Sequence, residues 1–518
     1  MIPTRRMRLL QRRMLTSAQA MPEVSSTQRR ANEFELAMVS GGDDRSVLKA
    51  ETQTNKYNVS PWPTDAVFRG SCTCNPPTQR GYLAAESLYY DKIHNNKYKI
   101  ETYSELAQDI RSRLARVFNL PKGTGVMLCP SGSDAEFIPV AIAQALSGQG
   151  KLIANIVTQH KEIGAGSAPA ADLRYFSKLT PLAGNTQYQV GTRLLGTEDE
   201  QILPKIIPAR DVDGIPITAD TAQVAQQLLD ENNQIDLILA HAVYGGKTGL
   251  RDEIIPSTDK ILGIVDACQG RFTNSELEDW LIGAQNIVLI TGSKFYRGPP
   301  FSGAVLLPPS LMTKLQNISN PPPILTALGD FLSRPDLPLP AWQSSLPAQN
   351  HNLGLALRWS AALADMETAA PYDIILAQTW AKQVTNLVTS LSDTIELFES
   401  NRCIISVRLR PHPQAPFFNT KQLRQIYDWM TTDCSKAFDQ VPHLSKSQRV
   451  IAATPCAIGQ PVEVTPTTGV LRLALGVDSF DAFAKKPEIA LLDDQTALTK
   501  LSLLASHFDF LSSSPSSD

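Results

Sequence analysis

The sequence predicts an α/β protein: a largely parallel sheet covered by helices on both faces, with a smaller C-terminal α/β unit. Three observations lead there. Apolar runs of strand length alternate with helical patterns between residues 125 and 308, and such alternation implies parallel strands joined by crossovers. The chain has 518 residues, 42% of them apolar, which suffices for two or three structural units around a large core. A Pro-rich stretch, 309–350, precedes a second strand–helix–strand pattern.

The elements follow in order. The first 22 residues, MIPTRRMRLLQRRMLTSAQAMP, carry Arg5, Arg6, Arg8, Arg12 and Arg13 and no acid before Glu23. On a helix Arg5, Arg8 and Arg12 share one face, with Met7, Leu10 and Met14 opposite. That composition predicts a mitochondrial presequence and a matrix location; a cytoplasmic protein with a basic tail is the alternative. Residues 23–80 read as an N-terminal arm or linker, with SGGDDRS in their middle. A large domain is expected over 81–320. It opens with the helix YSELAQDIRSRLARVFNL, where Leu106, Ile110, Leu114 and Val117 fall at helical spacing.

Its strands are GVMLC (125–129), KLIANIV (151–157), QIDLILA (234–240), ILGIVD (261–266) and NIVLI (286–290), with SGAVLLP (302–308) antiparallel to its predecessor. The helix DAEFIPVAIAQAL follows the first strand, and Ser133 or Asp134 is expected to cap it. Residues 321–395 hold a Pro-rich crossing and the long helix NLGLALRWSAALADME. The C-terminal domain, 396–510, places strands CIISVRL and GVLRLAL around the helix KQLRQIYDWM, and 511–518 form a solvated tail.

Composition narrows the function. A net charge of −3 and a pI near 6.2 give no global attraction to nucleic acid or an anionic membrane. No apolar run approaches the roughly 20 residues that cross a bilayer. Seven scattered cysteines argue against a disulfide framework and for a reducing compartment. Cys72 and Cys74 are the one close pair, and without a second pair they make no metal site. GGKTG (245–249) is not a phosphate-binding P-loop, because His241 stands where that motif needs its first glycine.

In a parallel sheet, ligands bind beyond the carboxyl ends of the strands. Ser131, Gly132 and Ser133 follow the first strand and open a helix, a setting that suits phosphate. Asp266 ends ILGIVD, and Gln269 lies three residues on. Lys294 follows NIVLI, framed by Gly292, Ser293 and a Gly-Pro-Pro turn. A lone strand-end lysine commonly snorkels to water, but a partly desolvated amine is a nucleophile towards carbonyls. A phosphate turn, a strand-end acid and a strand-end lysine are together the parts of a pyridoxal phosphate site.

SGSDA (131–135), His160 in VTQH, VDACQG (265–270) and TGSKFYRGPP (291–300) resemble the fold type I superfamily of PLP-dependent transferases, class V aminotransferase and cysteine desulfurase branch. The resemblance spans roughly residues 80–480. It implies a large domain with a mainly parallel seven-stranded sheet and a smaller C-terminal α/β domain. It also implies pyridoxal 5′-phosphate as cofactor, an amino acid or amine as substrate, and a homodimer. Carried onto this chain, Lys294 is the catalytic Schiff-base lysine, Asp266 binds the pyridine nitrogen and Gln269 the ring hydroxyl oxygen. Gly132 and Ser133 hold the phosphate with help from Ser293, and His160 stacks on the ring. Arg472 in GVLRLALG pairs with the substrate carboxylate.

The branch often has His where Ser293 stands, and an asparagine in the segment that here reads HAVYGGKTGL, so His241 or Tyr244 is the expected substitute. Aminotransferase chemistry is the implied reaction, with a lyase or a desulfurase using Cys456 as the alternative. A further alternative is a non-catalytic protein of the same fold. Arg69 and Ser71 are further candidates to reach the pocket.

Overall fold

Two sheets carry the architecture in the computed structural model, which describes residues 29–513 apart from 71–74, 95–99, 186–187, 198–200, 218–219 and 442–443. The expected presequence, together with Ser71, Cys72 and Cys74, lies outside the described residues. In chain order the strands are β1 (Val67–Arg69), β2 (Gly125–Cys129), β3 (Leu152–His160), β4 (Leu179–Thr180), β5 (Gly184–Asn185), β6 (Ile202–Pro208) and β7 (Ile235–Val243). Then come β8 (Ile261–Asp266), β9 (Ile287–Thr291), β10 (Gly303–Leu307), β11 (Ile395–Asn401), β12 (Ile404–Leu409), β13 (Cys456–Glu463) and β14 (Gly469–Ala474).

The large sheet has seven strands in the order β2-β10-β9-β8-β7-β3-β6. β10 alone runs antiparallel to its neighbours, with Gly303 opposite Thr291 and Cys129. β2, β9 and β10 are buried at every position, as expected of strands covered on both faces. β6, ILPKIIP, was not expected from the sequence. It is a mostly exposed edge strand, the one place where a sheet tolerates Pro204 and Pro208.

The small sheet runs β1-β13-β14-β12-β11. Its surprise is β1, which comes from the N-terminal arm and pairs parallel with β13, Val67 opposite Cys456. The arm is therefore part of the C-terminal unit rather than a free linker. The last helix, Phe508–Ser513, extends beyond residue 510.

The helix Leu353–Met366 is buried along its whole length and packs against the large domain. Its fit explains the glycines around Lys294. A Cβ at Gly292 would stand 2.7 Å from Ala362 Cβ and 3.0 Å from Trp359, and one at Gly298 would meet Ala362 at 2.7 Å. The turn carrying the lysine is pressed onto this helix, and only glycine lets the backbones come so close. Among the described residues no helix is long and apolar enough to cross a membrane.

Candidate active site

Three strand ends meet at one small cavity of about 40 Å³. The turn after β2 supplies Ser131, Gly132 and Ser133, β8 supplies Asp266 and Cys268, and β9 supplies Thr291, Ser293 and Lys294. Adjacent parallel strands β8 and β9 place the acid and the lysine side by side, at the carboxyl end where helix-capped turns also gather.

The turn is built around Ser131. Its hydroxyl accepts the N–H groups of Ser133 and Asp134, both at 3.2 Å, and donates to Asp134 Oδ2 at 2.5 Å. Neither Ser133 nor Asp134 caps the helix as the sequence suggested; Ser131 does, because its hydroxyl lies under both N–H groups. Ser133 Oγ is thereby left without a hydrogen bond among the described residues. A Cβ at Gly132 would approach Cys268 Sγ and Thr291 Cγ2 to 3.0 Å, and one at Gly164 would approach Ser133 Oγ to 3.1 Å. The two glycines keep the floor open.

Lys294 is half-buried, and its Nζ has no hydrogen-bond or ion-pair partner among the described residues. Its backbone is pinned instead. The carbonyl accepts Asn75 Nδ2 at 3.2 Å and Arg297 N–H at 3.1 Å. Asp266 is oriented by Cys268 N–H, which donates to Oδ1 at 3.0 Å. Gln269 Oε1 accepts from Arg271 Nη1 at 2.9 Å. Because guanidinium only donates, that contact fixes which end of the amide is oxygen and leaves Nε2 available as a donor.

Beneath Asp266 lies a pair that the sequence reading did not identify as such. Glu136 and His241 are fully buried, with Nδ1 3.4 Å from Glu136 Oε2. Burial, and then the charge of Asp266, hold the Glu136 carboxyl well above its ordinary range. Burial pushes His241 down to about 4 against the opposing pull of Asp266. Burial thus opposes the charged form of each partner in this contact. The signal for Glu136 was an acid directly before the apolar run FIPVAIA.

Other expected residues lie elsewhere. His160 stands exposed at the end of β3, on a separate cavity with Lys161, Arg210 and Glu463. A register shift between Val157 and His160, flanked by positive φ at Gln159 and Lys161, carries it away from Lys294. Arg472 is buried, and its guanidinium is spent on main-chain carbonyls. Nε and Nη2 donate to Gln460 at 3.1 and 3.0 Å, and Nη1 to Lys247 at 2.9 Å. It ties β13 to the 246–249 turn and does not line the Lys294 cavity.

Arg69 pairs with Asp494 and Ala490 O instead of reaching the pocket. Tyr244 bonds Glu276 and Arg402 through its hydroxyl. The GGKTG turn holds no phosphate-like cradle, since Thr248 N–H and Oγ1 both donate to Glu162. Gly164, Ser167 and Phe301 also line the cavity without a sequence signal, as does Arg45, which the N-terminal arm brings in.

No protein-family model matches the chain, and no curated protein matches it. Solved structures are similar to it. An apo cysteine desulfurase from Thermococcus onnurineus NA1 is 11% identical, covering 84% of this chain and 95% of its own at a TM-score of 0.47. The Escherichia coli cysteine desulfurase CsdA is 14% identical, covering 86% and 95% at 0.47. Oryza sativa TDC, solved with PLP and tryptamine, is 12% identical and covers 96% and 97%, also at 0.47. At these values the reading of the site rests on its own residues.

Proposed function

We propose that the chain is a pyridoxal 5′-phosphate-dependent enzyme acting on an amino acid or amine, with aminotransferase-type chemistry at Lys294. One observation carries the reading: an unpartnered lysine amine, a strand-end carboxylate and a Ser-Gly-Ser turn open onto one cavity. The donor set fits the group. Ser133 Oγ and the Gly132 backbone suit a phosphate ester, Asp266 a protonated ring nitrogen, and Gln269 Nε2 a ring hydroxyl oxygen.

When bound, pyridoxal phosphate supplies an aldehyde that bonds to amines and a ring that withdraws electrons from the adjoining carbon. Lys294 supplies the protein's amine, held in place by Asn75 and Arg297 through its carbonyl. Asp266, its carboxylate fixed by the Cys268 N–H, would hold a proton on the ring nitrogen. The Lys294 amine, the one lysine lining the cavity, would be the group to move the substrate's α-proton.

Cys456 favours amino-group chemistry over sulfur chemistry. It is fully buried at the start of β13, its Sγ 3.5 Å from Thr454 O, and burial pushes its thiol up to about 12. A sulfur-accepting cysteine needs exposure and a thiolate. A homodimer in the mitochondrial matrix completes the proposal.

The test is an amino-acid and amine panel on protein loaded with pyridoxal phosphate. Conversion of the bound chromophore to the amine form, reversed by a keto acid, supports transamination. Release of ammonia or sulfide without that conversion overturns it in favour of a lyase. A wild-type protein that never takes up the cofactor sinks the reading altogether.

A further inference from the structure

The N-terminal arm places one arginine in the Lys294 cavity, and nothing in the sequence motifs accounts for it. Arm helix Glu33–Val39 ends at Ser40, and Arg358 donates to the carbonyls of Met38, Ser40 and Gly41. Three residues on, Asp43–Arg45 dips to the cavity wall. Arg45 and Lys294 are the two basic residues among those lining it.

The guanidinium is oriented with one edge occupied. Nε donates to both Asp43 carboxylate oxygens at 2.9 Å, and Nη2 also binds Asp43. Its Cζ sits 4.5 Å from the Phe301 ring centroid and 5.7 Å from that of Phe176. Nη1 makes no hydrogen bond among the described residues. The side chain is only 14% exposed, so its spare donor faces a largely enclosed space.

Position along the cavity selects the ligand. Phe176 packs at the turn, since a Cβ at Gly166 would meet it at 2.7 Å and Ser133 Cβ at 3.0 Å. Arg45 also feels the charge of Asp134, the residue after Ser133. It therefore stands at the Ser131–Ser133 end. A phosphate ester in that turn would meet hydroxyl and N–H donors, with the Asp43 carboxylate nearby already held by Arg45. The ester is itself anionic and calls for a cation beside it, and of the two basic lining residues Lys294 is the one assigned to the aldehyde.

We propose that Arg45 is the cationic ligand of the cofactor's phosphate ester, supplied by the N-terminal arm and held in aim by Asp43. This rests on the pyridoxal phosphate reading above. A bidentate fork already fixed on one edge loses little freedom when the other edge binds a phosphate oxygen.

The experiment titrates cofactor-free full-length protein with pyridoxal 5′-phosphate and, separately, with pyridoxal, which has the aldehyde but no phosphate. Uptake is read by the visible band and by tryptophan fluorescence, with inorganic phosphate as competitor. Wild type, Arg45→Gln and Arg45→Lys are compared, each checked for a cooperative melt. Arg45→Gln is expected to weaken pyridoxal phosphate about 10- to 100-fold, the scale of a charge-assisted contact. Pyridoxal binding should not change, and phosphate should compete less well. Arg45→Lys should recover part of the loss.

Equal weakening towards both aldehydes, or no weakening towards either, overturns the proposal. So does an unchanged cofactor affinity with a raised substrate KM, which would make Arg45 a substrate residue. If Arg45→Gln does not fold, Arg45→Lys decides alone: an unaltered preference for the phosphorylated aldehyde rejects the assignment. A wild type that binds neither aldehyde removes the parent reading as well, whereas failure of Arg45 alone leaves that reading standing.

Discussion

Gly303 lies so close beneath Ser131 that a Cβ there would stand 2.4 Å from the Ser131 carbonyl oxygen and 3.1 Å from Gly132 N. The antiparallel strand β10 thus supports the Ser-Gly-Ser turn from below, and both partners of the contact are backbone. Gly303→Ala must push the turn out of place. The expected outcome is a loss of roughly 1–3 kcal/mol of stability, the cost of overpacking, with loss of pyridoxal phosphate uptake. Chemical denaturation and a cofactor titration measure the two effects. Unchanged uptake in Gly303→Ala would show that the turn does not hold the cofactor.

Arg472 yields the second prediction. Its donors hold Gln460 O and Lys247 O, so Arg472→Met leaves carbonyls unpaired in a buried place. Stability should fall by about 1.5–3 kcal/mol, the range for a hydrogen bond to a charged group. KM for an amino-acid substrate should stay within a few-fold of wild type. A large, selective rise in KM with unaltered stability would restore the substrate-carboxylate role.

The third prediction concerns pH. Burial, then Asp43, raises the Asp134 carboxyl to about 7 from its ordinary 3.8. The native state therefore keeps a proton that the unfolded chain has lost. Asp134's contribution to stability is present below about pH 3.8 and is lost as pH rises to about 7. Each pH unit in that window removes at most about 1.4 kcal/mol. His241, held down to about 4, has the opposite slope between its ordinary 6.5 and 4, so the total profile mixes both. The difference between wild type and Asp134→Asn isolates the first. Urea melts from pH 4 to 7 should show that difference shrinking or reversing as pH rises, and a constant difference would contradict the assignment.

A fourth prediction follows from Arg358. Beyond the arm carbonyls it donates to Phe301 O at 2.5 Å, tying the arm to the turn beyond Lys294. Arg358→Met should cost on the order of 3 kcal/mol and expose residues 38–48 to limited proteolysis. Cleavage confined to other loops would show that the arm is held by something else.

The physical reasons why some elements were legible are specific. β8 and β9 are apolar runs covered on both faces, so their ends, Asp266 and Lys294, could be placed from pattern alone. β10 followed from its short connection. β6 and β1 were not legible: the first is an exposed, Pro-bearing edge, and the second has three residues and pairs across nearly four hundred positions. Side-chain destinations failed where backbone detail decides them, as with the irregular end of β3 at His160 and the saturated Arg472. Arg45 could not be found from spacing, because its path to the cavity depends on the Arg358 clamp. Glu136 and His241 meet across two elements that no local pattern joins.

The central claim is that Lys294 is the amine that bonds the cofactor aldehyde. Its most direct test is borohydride reduction of the loaded protein followed by peptide mapping. A pyridoxyl adduct is expected on the peptide spanning Lys294, and none in Lys294→Ala. An adduct on another lysine, with Lys294 unmodified, would contradict it.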